Sequence, residues 1–104
     1  MKAEKSASFH VAPLPRAISL AIGEGKLLFC TAFFDNAGEQ QIVFSSIERE
    51  LVGKSVHYEM TDMENERIVG FGSVLLTLDK DGMARGRIKV VVSPPHYKIE
   101  FNME

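Results

Sequence analysis

Apolar and polar residues alternate through the last third of the chain: Ile88, Val90 and Val92, then Tyr97, Ile99 and Phe101, recur at every second position. A repeat of two is the side-chain period of a strand with one face buried, and a helix cannot gather such a set on one side. The same alternation runs through Ile18, Leu20 and Ile22, and through Val56, Tyr58 and Met60. Between the runs stand Gly23-Glu24-Gly25, Asp35-Asn36-Ala37-Gly38 and Asp79-Lys80-Asp81-Gly82. In such turns Asp and Asn bond their own backbone and glycine accepts positive φ. About seven strands separated by turn signals at roughly ten-residue intervals predict an all-β, antiparallel sandwich.

At 104 residues, one core is expected. Residues 1–15 are small and polar and then punctuated by Pro13 and Pro15, which reads as a flexible leader ahead of a single β-sandwich domain over 16–104. Residues 26–34 are apolar on both parities, the pattern of a central strand covered on both faces. Ser45-Ser46-Ile47-Glu48 has the form of a capping box, which predicts a short helix near 46–51 that stops at Gly53; a continued strand would place Ile47 and Leu51 on one face equally well. Along 67–78, the longest strand candidate, Gly70 and Gly72 share a face with Ile68, Val74, Leu76 and Leu78. That arrangement predicts a bulge, or the close approach of a backbone or a bulky neighbour.

The run from Gly70 to Val92 joins a glycine-containing strand, a Leu-Thr-Leu-Asp-Lys-Asp-Gly corner and an alternating partner. It resembles the consecutive strands of bacterial immunoglobulin-like or fibronectin-type β-sandwich modules, over the last half of the chain. The cysteine pair, intervening tryptophan and tyrosine corner of antibody domains have no counterpart here, so the resemblance implies an immunoglobulin-like layout and carries no functional residue across.

Charge narrows the partners. Twelve basic residues against fourteen acidic ones give a net charge of −2, which leaves no cationic field for nucleic acid. No apolar run approaches the roughly 20 residues of a spanning helix, so no membrane role is expected. Lys2 and Lys5 are followed by no hydrophobic segment within Met1 to Ser8, and the single cysteine, Cys30, makes no internal disulfide. Both features lead to an expectation of cytoplasmic residence, with an envelope location following only if a leader has been removed.

Candidate chemistry is sparse. His10, His57, His96 and Cys30 are zinc-ligand types without zinc-ligand spacing, and the histidines read as surface or capping groups. Asp79, Asp81 and Gly82 form part of a calcium-loop pattern, but Ile88 stands where its glutamate would be, so a hairpin turn is the reading. Asp62, Glu64 and Glu66 read as a solvated acidic loop. Cys30, between Phe29 and Thr31, reads as a small buried hydrophobe and not as a nucleophile. Arg85, Arg87 and Lys89, with Lys98 on the next strand, read as a solvated basic stripe that Glu59 or Glu100 neutralises across strands. No catalytic residue, cofactor or metal is assigned, and the chain is expected not to be an enzyme.

The functional clue is an apolar excess. If Leu28, Cys30, Ala32 and Phe34 face the core, Leu27, Phe29 and Phe33 face outward; Val69, Phe71 and Leu75 make the same demand on the long strand. Were these two strands in one sheet, their outer face would be a contiguous apolar surface needing cover, from a second chain or from the chain's own leader or 45–51 segment. These six residues are the expected interface of a non-catalytic binding, assembly or structural module. Such a module self-associates as a homodimer or docks a protein partner, through a sheet face or a strand edge. The alternative is a small-molecule or carbohydrate binder using Tyr97, Asp62 and Asp81.

Overall fold

A computed structural model describes residues 6–11 and 16 by their backbone, and 17–90 and 96–103 in full. The alternating runs become strands: β1 (Ser6–Val11), β2 (Arg16–Gly23), β3 (Lys26–Phe34), β4 (Gln40–Ser46), β5 (Ser55–Asp62), β6 (Arg67–Leu75), β7 (Thr77–Leu78), β8 (Ala84–Val90) and β9 (Tyr97–Met103). They form two antiparallel sheets, one of four strands in the order β1-β9-β5-β6 and one of five in the order β2-β3-β4-β8-β7. The fold is an all-β sandwich. Its core takes Leu20, Leu28, Cys30, Ala32, Ile42 and Phe44 from the five-stranded sheet, and Val56, Met60, Tyr97, Ile99, Phe101 and Met103 from the other.

Two strands exceed the seven expected. The first is β1, which pairs with β9 from Ser6 opposite Asn102 to Val11 opposite Tyr97. The flexible leader is therefore corrected over Ser6–Val11, where an edge strand stands; residues 1–5 and 12–15 lie outside the described residues. The second arises because the long strand changes sheets. It leaves the four-stranded sheet at Leu75 and joins the five-stranded one at Thr77, with Leu76 fully buried between them. At that corner Leu76 N–H donates to the Lys54 carbonyl at 2.9 Å, and the Leu76 carbonyl accepts from Gly53 N–H at 2.8 Å. Those bonds satisfy the backbone where neither sheet can.

The same strand carries the expected bulge. Thr61 lies opposite Ile68 and Met60 opposite Gly70, so Val69 is the extra residue. The slip turns Ile68 outward and corrects its expected place beside the glycines; Leu78, beyond the sheet change, is exposed as well. Gly70 and Gly72 meet the bulky neighbours their spacing called for. A Cβ on Gly70 would lie 2.7 Å from Met60 Cε, and one on Gly72 would lie 2.9 Å from Tyr58 Oη.

The short helix near 46–51 is corrected to a single 3-10 turn, Arg49–Leu51. The sheet is the reason. Ser45, the N-cap of that pattern, lies within β4 opposite Phe29 on β3 and Arg85 on β8, and Ser46, the last residue of β4, is fully buried with its hydroxyl donating to the Leu27 carbonyl at 2.7 Å and accepting from Glu48 N–H at 3.1 Å. Extended backbone through residue 46 leaves the box no helical turn to start.

Three turns are closed by aspartates. Asp35 Oδ1 accepts from the amides of Ala37 and Glu39, Asp62 Oδ1 from that of Glu64, and Asp79 Oδ1 from those of Asp81 and Met83. Gly38 and Gly82 complete two of them at φ of 79° and 80°. Those bonds, from Glu39, Glu64 and Met83 foremost, hold the three carboxyls below the usual carboxylate range. A pKa lower in the folded chain than in the unfolded one contributes stability that is present above the unfolded value, about 3.9, and is lost as pH falls through the folded value. The melting temperature followed by circular dichroism is therefore expected to be level above about pH 5 and to fall below about pH 4. Asp79→Asn is expected to make that acid limb shallower, and an unchanged limb would remove the turn carboxylates as its cause.

Candidate interaction surfaces

The two expected apolar groups lie in different sheets. Leu27, Phe29 and Phe33 project from β3 on the outer face of the five-stranded sheet, whereas Val69, Phe71 and Leu75 project from β6 on the outer face of the four-stranded one. The single contiguous face is thus corrected to two smaller ones on opposite sides of the molecule. Nor is β3 covered on both sides by the described residues: Phe29 keeps 42% of its surface accessible, and Phe34, at the strand's end, is exposed despite its inward parity.

The β6 face is the more open. Phe71 is 77% accessible, Ile68 and Leu75 are each more than half accessible, and among the described residues β6 is an edge strand paired only with β5. Beside Phe71 stand Glu59 on β5 and, one strand further, Glu100 on β9, which the register sets directly opposite Glu59. His57 Nδ1 lies 2.6 Å from Ser73 Oγ across β5 and β6, and with Gly72 and Asn102 these residues line a shallow cleft of about 530 Å³. A histidine touching a serine hydroxyl is the start of a nucleophile, but the amides around Ser73 run in the plane of the sheet and not out of its face.

On the opposite face, Arg85, Arg87 and Lys89 line β8, two strands from β3. Glu59 and Glu100 lie on the other sheet and are corrected as their partners. Asp79 Oδ2 lies 2.9 Å from Arg85 Nε, an ion pair whose angle falls short of a hydrogen bond, and Glu39 pairs with Lys89 at 2.8 Å. Arg87 has no ion-pair partner among the described residues. Lys98 pairs with Glu100 on its own strand at 3.1 Å.

The other candidates fall apart spatially. Tyr97, the expected loop aromatic, is 1% accessible in the core, and its burial pushes the phenol well above its usual range. Asp62 is engaged in its turn, and Asp81 is exposed in the turn between β7 and β8. The ligand site composed of these three is therefore corrected: a buried ring cannot form its floor. Cys30 is buried as expected, and desolvation pushes its thiol up to about 12, far from the range of a reactive thiolate. His96 is exposed, and among the described residues no three metal-ligating side chains converge.

Sequence reasoning missed a second cleft, of about 550 Å³, at the end of the sandwich. Ile22, Leu51 and Met103 form its apolar lining, with Glu24, Lys26, Glu50 and Lys54 around them and Lys26 donating to Glu50. Its residues come from three separate segments, 22–26, 50–54 and Met103, so no local motif marks it. Comparison with protein-family models, with curated proteins and with solved structures gave no match.

Proposed function

We propose that this chain is a non-catalytic interaction and assembly module of immunoglobulin-like layout, which associates with a second copy or a protein partner through its exposed apolar faces and the β6 edge. Strand order supports the layout. The neighbours β3-β4-β8-β7 follow the A-B-E-D order of an immunoglobulin domain, and β9-β5-β6 follow F-C-C′, with β1 beside β9 where the last strand would stand.

The observation that carries the function is β6 itself. A nine-residue edge strand offers unpaired backbone groups, and proteins that do not use such an edge guard it with proline, inward charges or a covering segment. Among the described residues the guards on β6 are confined to its start, the charge of Arg67 and the bulge at Val69; Gly70 to Leu75 carries neither proline nor charge, and the strand adds exposed Ile68, Phe71 and Leu75. Covering about 400 Å² of apolar surface is worth on the order of 10 kcal/mol before association costs, enough to hold a complex together.

Sedimentation of the purified chain across a concentration series tests this reading. The mass is expected to rise with concentration, and Phe71→Asp is expected to hold the chain as a monomer while leaving its circular dichroism unchanged. A wild-type chain that stays monomeric throughout, or a Phe71→Asp variant that assembles as well as wild type, overturns it.

A further inference from the structure

We infer that copies of this chain stack head to tail, the outer face of the five-stranded sheet in one docking on the outer face of the four-stranded sheet in the next. This rests on the assembly reading and specifies what the β6 face meets. The two faces carry opposite unpaired charges. On one, Glu59 sits directly opposite Glu100, and while Lys98 pairs with Glu100 on that face, no cation among the described residues reaches Glu59. On the other, Arg87 lacks an anion while its strand neighbours Arg85 and Lys89 each have one.

The spacing agrees. Glu59 and Glu100 stand in one row with exposed Phe71, roughly 5 and 10 Å from it, and Arg87 stands two strands across and two residues along from exposed Phe29, roughly 12 Å, an offset that a long arginine side chain spans. Laid face to face, each phenylalanine can cover the other's apolar strip while the guanidinium lies over the carboxylates. A two-fold dimer whose axis passes through the acidic pair, or through Arg87, would bring like charges together, which opposes binding. Area is sufficient: the chain measures 36 × 34 × 21 Å, and its broad faces have room for the ~800 Å² per partner of a standard interface. Because each copy presents one face of each kind, the contact is heterologous and propagates.

Complementation tests this with the full-length chain. Phe29→Asp and Phe71→Asp, each disabling one face, are both expected to sediment as the 11.6 kDa monomer. Their equimolar mixture is expected to form a dimer and nothing larger, since only one good pair of faces remains. Arg87→Glu is expected to weaken self-association by about tenfold or more, and adding Glu59→Arg to the same chain to restore it. If Phe29→Asp does not fold, Phe29→Ser replaces it.

A Phe29→Asp chain that assembles like wild type, while Phe71→Asp does not, overturns the stacking and leaves the assembly reading intact. So does a mixture that remains monomeric, or a charge-swapped double variant no better than Arg87→Glu. A wild-type chain monomeric at every concentration overturns both.

Discussion

Replacing Gly86 with alanine is expected to lower the unfolding free energy by about 2 kcal/mol, because β8 has no room for a side chain there. A Cβ on Gly86 would lie 2.4 Å from Val74 Cγ1 and 3.2 Å from Leu76 Cδ2. Val74 is β-branched and stiff, so the clash cannot be relieved by swinging a flexible chain end. The crossing from β6 to β7 would have to move away from β8. For a domain of this size a loss of about 2 kcal/mol appears as a drop in melting temperature of roughly 8–16 °C. The control is a double-mutant cycle: in a Val74→Ala background the obstructing methyl is gone, and Gly86→Ala should become close to neutral. An equal loss in both backgrounds would show that the cost does not come from this contact. Because the crossing also aims the start of the corner at which β6 ends, Gly86→Ala is expected to raise amide exchange at Leu75 and Leu76 ahead of the rest of the sheet.

Much of this fold is legible because its strands each bury one face. Tyr97, Ile99 and Phe101 alternate in sequence, and all three are buried; Leu20 and Val56 follow the same rule. The sheet change at Leu76 is not legible, because 74, 76 and 78 keep one parity and neither glycine nor proline marks the bend. Its trace lies in another strand: Ala84 and Gly86 on β8 are small where the crossing chain packs. The strand β1 had the period of two to read, with Ala7, Phe9 and Val11 set in register with Phe101, Ile99 and Tyr97. Pro13 and Pro15 pointed instead to a tail. At Ser45 the local pattern matches a capping box, but β4 runs on through Ser46, whose hydroxyl bonds the Leu27 carbonyl nineteen residues away, which no window around residue 45 contains.

The surfaces were legible one strand at a time and not in combination. Parity assigned Leu27, Phe29, Phe71 and Leu75 to outward faces, and each is exposed. Which outward faces coincide depends on strand order, which periodicity does not encode. The same limit explains the ion pairs. Arg85 and Lys89 read as a stripe, but Glu39, the partner of Lys89, comes from the β3–β4 turn that only strand order brings beside β8, whereas Asp79, the partner of Arg85, belongs to the hairpin that leads into β8. The pairing of Glu59 with Glu100 likewise emerges only from the β5–β9 register.

Phe44→Ala is expected to cost about 3–5 kcal/mol, a large part of the roughly 5–15 kcal/mol that separates a folded domain from its unfolded chain. Phe44 is fully buried at the centre of the five-stranded sheet, flanked in register by Cys30 on β3 and Gly86 on β8. Small neighbours on both sides let its ring reach across to Phe101 of the other sheet, with centroids 5.3 Å apart and planes tilted by 57°. That geometry suits the positive edge of one ring against the face of the other, and contributes about 1 kcal/mol beyond the area buried. The cavity cannot collapse easily, since sheet-to-sheet distance is fixed by the many residues around it. Phe101→Ala should cost a similar amount, and the double variant should lose about 1 kcal/mol less than the sum of the two, measured by denaturant unfolding. Strict additivity would mean that the rings stabilise the sandwich independently, each through its own burial. In a background already weakened by Gly86→Ala, Phe44→Ala should leave no cooperative unfolding transition at 37 °C, because the two changes strike adjacent positions of the one inner face on which both outer surfaces depend.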